Sequence, residues 1–382
     1  MNVGITCYPT YGGSGIVATE LGLELANRGH EVHFITYANP IRLDPGIPRI
    51  HYHEVEVSTY PLFQYPPYCL ALASRMLEVA EQHHLDLMHV HYAIPHSISA
   101  MLAKDMLAPV RRLPFITTLH GTDITLVGAD RSYFPITKYS IEKSDGITSI
   151  SEYLRRQTVE VFGVRNDIRV ITNFVNCDLY KPDHEKSTAR CYAPADGKLL
   201  IHVSNFRPVK RVQDCVRILA EVVRHTPAHL LMVGDGPERG PAEYLARDLG
   251  VERHVSFLGK QNHVERIIPL AHVLLMPSEL ESFGLAALEG MACGVPPVST
   301  RVGGVPELIT HGVDGYLESV GDIAAQAARV TALLTDDALH HRFAQAARRT
   351  ATDRFCADKI IPTYERYYEE VCGRGIASGA TS

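Results

Sequence analysis

Apolar residues along this chain come in short runs, each closed by Gly, Pro or a polar cluster and followed by a longer stretch of helical period. In the first half the runs predict strands at 2–7, 31–36, 86–92, 114–119, 146–150 and 168–172. The rhythm then restarts at 198–204, 228–233, 255–258, 272–276, 296–299 and 315–318. Short strands that are apolar throughout suit a parallel sheet covered by helices on both faces. The alternation predicts an α/β protein of two Rossmann-like domains. Segment 176–197, with Pro182, Asp183, Pro194 and Gly197 and little periodicity, reads as a linker between domains at 1–175 and 198–358. A helical stretch at 359–372, carrying Tyr364, Tyr367 and Tyr368, is expected to pack back on the first domain. The Gly- and Ser-rich end, 373–382, is expected to be disordered. Ligands of open α/β sheets bind beyond the carboxyl ends of the strands, so the expected site is a cleft where the two sheets face each other.

Composition narrows the partners. A chain of 382 residues suggests two or three domains, and 46% hydrophobic content with mean hydropathy −0.04 is ordinary for a soluble globular protein. A net charge of −6 argues against nucleic acid, and no apolar run reaches membrane-spanning length. The eight cysteines are scattered with no C-x-x-C pair, so they read as reduced thiols of a cytoplasmic protein. The 20 histidines look mostly solitary, which is the habit of structural or surface residues.

The most informative stretch is Pro277-Ser-Glu-Leu-Glu-Ser-Phe-Gly-Leu-Ala-Ala-Leu-Glu-Gly-Met-Ala-Cys-Gly-Val-Pro296, which follows the apolar run Ala271–Met276. Ser282 reads as the N-cap of a helix stopped by Gly294 and Pro296. Glu281 then lies in the loop and Glu289 two turns into the helix. The amides of Phe283, Gly284 and Leu285 would point at an anion between them. A phosphate cradle flanked by two hydroxyl-binding carboxylates suits a nucleotide sugar.

Other turns converge on the same chemistry. Gly12, Gly13 and Gly15 follow the first strand without forming a dinucleotide fingerprint or a P-loop; they serve either a tight turn or a close ligand approach. Ser204-Asn-Phe-Arg-Pro-Val-Lys-Arg211 gathers Arg207, Lys210 and Arg211 at a strand end, the place for a diphosphate. No Asp-x-Asp is present to hold a metal ion on a nucleotide. Gly234 and Gly236 mark a sharp turn that serves the backbone first and a ligand second. Phe257-Leu-Gly259 ends a strand where a base can stack or pair, and Arg301–Glu307 reads as a structural turn. His89 and His91 share a strand face, but the sequence places no third metal ligand beside them. His120, at the end of another strand, is placed for a sugar hydroxyl or acid–base work, with Asp123 as a possible helix N-cap.

Together the Gly12–Gly15 loop, His120-Gly-Thr-Asp123, the Arg207/Lys210 pair and Glu281…Glu289 resemble the retaining family-four glycosyltransferases of the GT-B fold, over nearly the whole chain. The resemblance implies that Glu281 holds donor-sugar hydroxyls, Glu289 the ribose, and Lys210 with a nearby cation the diphosphate. His120, Arg207, Lys210 and Glu281 then act on the reacting groups. Gly13, Asn205, Gly234, Leu258, the Ser282–Leu285 turn and Glu289 line the donor. Many members carry Arg five residues before the lysine; here that position is Asn205, and Arg207 can take the charge role from a shifted position. Within the family, Cys7–Gly15, His89–His96, Thr118–Gly128 and Ser204–Arg211 resemble members that move N-acetylglucosamine from UDP-N-acetylglucosamine to L-malate in bacillithiol biosynthesis. That likeness implies a homodimer with no cofactor and no metal, and malate contacts at Ser14, Gly15, Tyr92, Thr118 and Lys138. Lys138 reads equally as a solvated helix lysine. The alternatives are another family-four transferase with a lipid or saccharide acceptor, a UDP-N-acetylglucosamine 2-epimerase, and a non-catalytic binding module. Lys104, Arg111 and Arg112 are a weak basic cluster for a lipid surface.

Overall fold

A computed structural model describes residues 1–10, 12–44, 46–58, 61–183 and 197–377. The chain divides into two compact units, Met1–Asn173 joined by the segment from Ile360, and Phe174–Lys359.

In unit 1 the order is β1 (Asn2–Thr6), α1 (Gly13–Asn27), β2 (Glu31–Thr36), β3 (Ile50–Glu54), α2 (Tyr68–Gln82), β4 (Leu87–His91) and α3 (Ile98–Leu107). There follow β5 (Phe115–Leu119), α4 (Thr122–Thr125), α5 (Phe134–Lys143), β6 (Gly146–Ser149), α6 (Glu152–Phe162) and β7 (Arg169–Val170). The strands form one parallel sheet in the order β3-β2-β1-β4-β5-β6-β7. Leu72, Met76 and Val79 of α2 and Ala103 of α3 pack on Val90 and Phe115 to make the core of one face.

Unit 2 repeats the plan with β8 (Lys198–Val203), α7 (Val212–Val222), β9 (Ala228–Val233), α8 (Arg239–Asp248), β10 (Val255–Gly259), β11 (Val273–Met276) and α9 (Leu285–Ala292). It continues through β12 (Pro297–Thr300), α10 (Val305–Leu308), β13 (Tyr316–Glu318), α11 (Ile323–Thr335) and α12 (Asp337–Arg354). Its sheet is β10-β9-β8-β11-β12-β13, again parallel. Each sheet reverses its winding beside its first strand, between β1 and β4 and between β8 and β11. Loops at such a switch point diverge and leave room for a ligand.

A final helix, α13 (Ala357–Ala377), belongs to unit 1 from Ile360 onward. The Ile147 amide donates to Tyr367 Oη (2.9 Å), and Tyr368 Oη lies 2.6 Å from His89 Nδ1. Arg112 donates to the carbonyls of Val371 and Cys372. The helix runs to Ala377, into the stretch expected to be disordered, while 378–382 lie outside the described residues.

Several expectations need correction. Strand β3 was not foreseen: Ile50-His-Tyr-His-Glu54 is polar and partly exposed because it is the sheet edge. The linker expected from 176 onward starts inside unit 2, since Tyr180 is 2% exposed and Arg348 donates to the carbonyls of Cys177 and Tyr180. Residues 184–196 of that segment lie outside the described residues. The cysteines are not all thiols. Cys177 and Cys356 are joined as a disulfide, with Cα atoms 5.7 Å apart, where a bridge places Val175 beside Cys356. Their separation of 179 residues hid the pairing. Cys7, Cys69, Cys215, Cys293 and Cys372 are free, and Cys191 is outside the described residues. Nor are the histidines solitary. Parallel register sets His33 opposite His51, near His53 and His83, and brings His89 and His91 toward His120.

Candidate functional site

In unit 2 the loops after β8 and β12 are both stitched to the loop after β11. The Glu279 amide donates to the Val209 carbonyl (2.8 Å), and the Gly304 amide to the Glu281 carbonyl (3.0 Å). Lys210 ends a single turn of 3₁₀ helix and donates from Nζ to Glu281 Oε1 at 2.6 Å. Ser278 Oγ donates to the same oxygen at 2.9 Å. The lysine side chain is 22% exposed and the glutamate 13%, so the pair is sheltered from water yet reachable. Arg207, at the head of that turn, is exposed. Arg211 is not part of the cationic cluster: its Nε donates to Asp214 Oδ2 at 2.6 Å, which offsets its charge at the start of α7. Asn205 Oδ1 is buried without a hydrogen-bond partner among the described residues.

Helix α9 starts at Leu285, not after Ser282. Phe283 is 2% exposed and meets Phe355 edge-on at 5.7 Å, so it is drawn into the core and holds the chain out of helix. Gly284 takes the cap position at φ +98°, so Ser282 lies two residues ahead of it rather than at it. The amides without a carbonyl one turn back are therefore those of Leu285, Ala286 and Ala287, shifted from the expected Phe283–Leu285. Glu289 sits in the second turn of the helix, 5% exposed, and accepts from Tyr180 Oη at 2.8 Å. Gly294 at φ +70° closes the helix, with Val295 N donating to Gly290 O.

Gly234 is a packing residue. At φ +125° a Cβ there would lie 1.7 Å from the Ser204 carbonyl oxygen. Leu258 offers less to a base than expected, because its carbonyl accepts from Gln261 Nε2 at 2.7 Å.

In unit 1, His120 is buried, with Nε2 2.9 Å from His91 Nδ1 and its ring stacked on Tyr92 at 5.6 Å. Burial holds its pKa down to about 3, so at neutral pH it is an uncharged hydrogen-bonding group. Asp123 does not cap α4, whose cap position is Gly121 at φ +123°. Its buried carboxylate instead accepts from the amides of Ala93, His120 and Gly121, tying the loops after β4 and β5. Burial raises its pKa and those amides oppose the rise. His89 is engaged at both nitrogens, by Tyr368 Oη and by Thr118 Oγ1, each at 2.6 Å.

Thr118 leaves the acceptor set. It is fully buried, and its hydroxyl also lies 2.6 Å from Thr148 Oγ1. Gly15 is fixed by sterics, since a Cβ would lie 2.4 Å from the Tyr8 carbonyl oxygen. Gly13 is exposed and Ser14 half-buried at the start of α1, which Gly12 begins without a side-chain cap. Tyr92, at φ +88°, meets Tyr8 edge-on at 5.2 Å. Lys138 lies 3.9 Å from Glu142 and beside Gly163 at the end of α6, the setting of a solvated helix lysine.

Sequence reasoning missed Ser278, Tyr180 and the His202–Ser204 contact (2.7 Å) that shapes the loop before Lys210. Ser278 stands three residues before Glu281 and was open to notice. Tyr180 carried no local signal.

Comparison with known proteins bears on both units. Residues 11–179 match the family model "Glycosyltransferase Family 4", and 184–350 match "Glycosyl transferases group 1". The N-acetyl-alpha-D-glucosaminyl L-malate synthase of Bacillus anthracis is 48% identical over 372 residues, 97% of either chain. A glycosyltransferase of Rickettsia africae aligns with a TM-score of 0.81 at 20% identity, over 97% of this chain and 98% of that one. Anabaena HepE, solved with UDP and glucose, aligns at 0.81 and 19% identity, over 97% and 99%. These two structures confirm the GT-B architecture.

Proposed function

The chain belongs to the family-four glycosyltransferases, and from that premise we propose that it transfers N-acetylglucosamine from UDP-N-acetylglucosamine to L-malate with retention, the first step of bacillithiol biosynthesis. The observation that carries this reading is the Lys210–Glu281 pair, its glutamate four residues before the start of α9, in a chain 48% identical over 372 residues to an N-acetyl-alpha-D-glucosaminyl L-malate synthase.

The reaction forms a bond from the malate hydroxyl oxygen to the anomeric carbon and breaks the bond from that carbon to UDP. The hydroxyl proton goes to the departing phosphate oxygen on the same face. Charge builds on that phosphate, and Lys210, Arg207 and the first amides of α9 are the groups that can meet it. Glu281, already held by Lys210 and Ser278, presents its second oxygen to sugar hydroxyls. Glu289, oriented by Tyr180, receives the ribose. His120 binds a sugar hydroxyl or carbonyl as a neutral group. On the acceptor side, Ser14, the first amides of α1 and Tyr92 meet malate. No metal enters this scheme.

The test is UDP release from purified protein given UDP-N-acetylglucosamine and a panel of hydroxy acids, with and without chelator. Release is expected with malate and in the presence of chelator. Release driven by a lipid or saccharide instead, or turnover without an acceptor, would displace the malate reading. Loss in chelator with recovery on magnesium would displace the metal-free one. Leu62, Phe63, Tyr65 and Leu70 are exposed apolar residues close in sequence, consistent with a homodimer that light scattering can check. No helix among the described residues is long and apolar enough to cross a membrane.

A further inference from the structure

We propose that His33, His53 and His83 bind one divalent transition-metal ion of the zinc class, in unit 1 and apart from the transfer chemistry. A ligand nitrogen from each of the three falls within 4.8 Å of the other two. They come from three elements. The register pairs His33 of β2 with His51 and Ile35 with His53 of β3, so these histidines share one sheet face. His83 is the residue that ends α2, the helix packed on that face.

His33 is 3% exposed, while His53 and His83 are partly open, so an ion can enter from one side. His33 Nδ1 lies 2.9 Å from His53 Nε2. The His83 ring centroid is 4.5 Å from that of His33 and 5.0 Å from that of His53. Tetrahedral zinc, with metal–nitrogen bonds of about 2.0–2.1 Å, sets its ligands roughly 3.3 Å apart, so the rings need move only a little to admit it. Imidazole nitrogens suit zinc, copper and nickel, and three of them leave a fourth position for water.

The surroundings are compatible with added positive charge. His51 stacks on His33 at 4.6 Å and lies 2.8 Å from Glu31 through Nε2, which brings a carboxylate close to the cluster. Arg75, whose charge acts on His53, is paired with Glu78 at 2.9 Å. An ion here would pin the edge strand β3 to the end of α2, a structural role, since β3 has a neighbour on only one side in the sheet.

The experiment uses tag-free, full-length protein stripped with chelator and titrated with zinc chloride by calorimetry, with metal per chain counted by mass spectrometry. One ion per chain is expected, with a rise in melting temperature. His53→Gln and His83→Gln should each weaken zinc binding at least tenfold while keeping the wild-type circular dichroism and rate of UDP release. His341→Gln, at an exposed site on α12, should leave zinc binding unchanged. Cobalt in place of zinc should give the strong visible bands of a four-coordinate site. Binding below one ion per chain, binding untouched by both cluster variants, or only the weak bands of six-coordinate cobalt would overturn the proposal.

Discussion

The two units share a doubly wound plan but use the polar groups at their switch points differently. In unit 1, His89, His91, His120, Asp123 and Thr118 are buried and bonded to one another or to backbone, and the imidazoles are held neutral. In unit 2 the central groups are a lysine and a glutamate, charged, partly exposed and flanked by helix amides. Polar side chains buried in the neutral form shape a surface. Those left at a rim with charge intact can be handed to a ligand.

The sharpest way to break this contrast is Lys210→Ala. It removes the cation proposed to meet the departing phosphate and leaves Glu281 without its lysine partner, so turnover should fall about a thousandfold with the fold retained. UDP release and circular dichroism measure both; a drop below tenfold would move the chemistry elsewhere.

Acid should separate the units next. The ordinary histidine pKa is 6.5, whereas His89 and His120 are held to about 3 and His96 to about 4 in the folded chain, by burial. Above pH 6.5 neither state takes the proton. Below it the unfolded chain does and the folded chain does not, so stability falls as pH drops from about 6.5 toward 3. The slope is up to about 1.4 kcal/mol per pH unit for each such residue. Unit 1 holds His33, His53, His89, His91, His96 and His120 in this condition, against His202 and His229 in unit 2. Hydrogen exchange should therefore show β4 and β5 losing protection at higher pH than β8 and β11. Simultaneous loss would contradict the assignment.

Smaller effects sharpen the unit 2 side. Glu289→Ala should weaken UDP binding about tenfold or more by calorimetry. Tyr180→Phe should weaken it by about 1 kcal/mol, the worth of one orienting hydrogen bond. Arg211→Ala should change turnover less than about threefold, because its guanidinium serves Asp214. A loss as large as that of Lys210→Ala would restore it to the diphosphate site.

Most sheet strands were legible because they are short apolar runs buried between helices. The edge strand β3 was not, because four of its five residues are polar or aromatic with a hydroxyl and it is only partly buried. Glu281 and Lys210 were legible as members of spaced motifs, and the fold does join them. The start of α9 was misplaced because Ser282 satisfies a local capping preference, while Phe283 answers to a tertiary partner 72 residues away, Phe355. Thr118 misled for a related reason: its motif is specific, but depth in the sheet decides what a hydroxyl can touch. Tyr180, Cys177 and the histidine clusters depend on register between distant segments, which no local window carries.

The C-terminal helix has a consequence for how the chain comes into being. Unit 2 is one unbroken stretch, whereas unit 1 waits for Tyr367 and Tyr368 to reach Ile147 and His89. On a ribosome the first half emerges early yet lacks its last layer until the C-terminal helix has been made. A premature stop at or before Tyr367 would therefore wound the N-terminal half while sparing the middle of the protein.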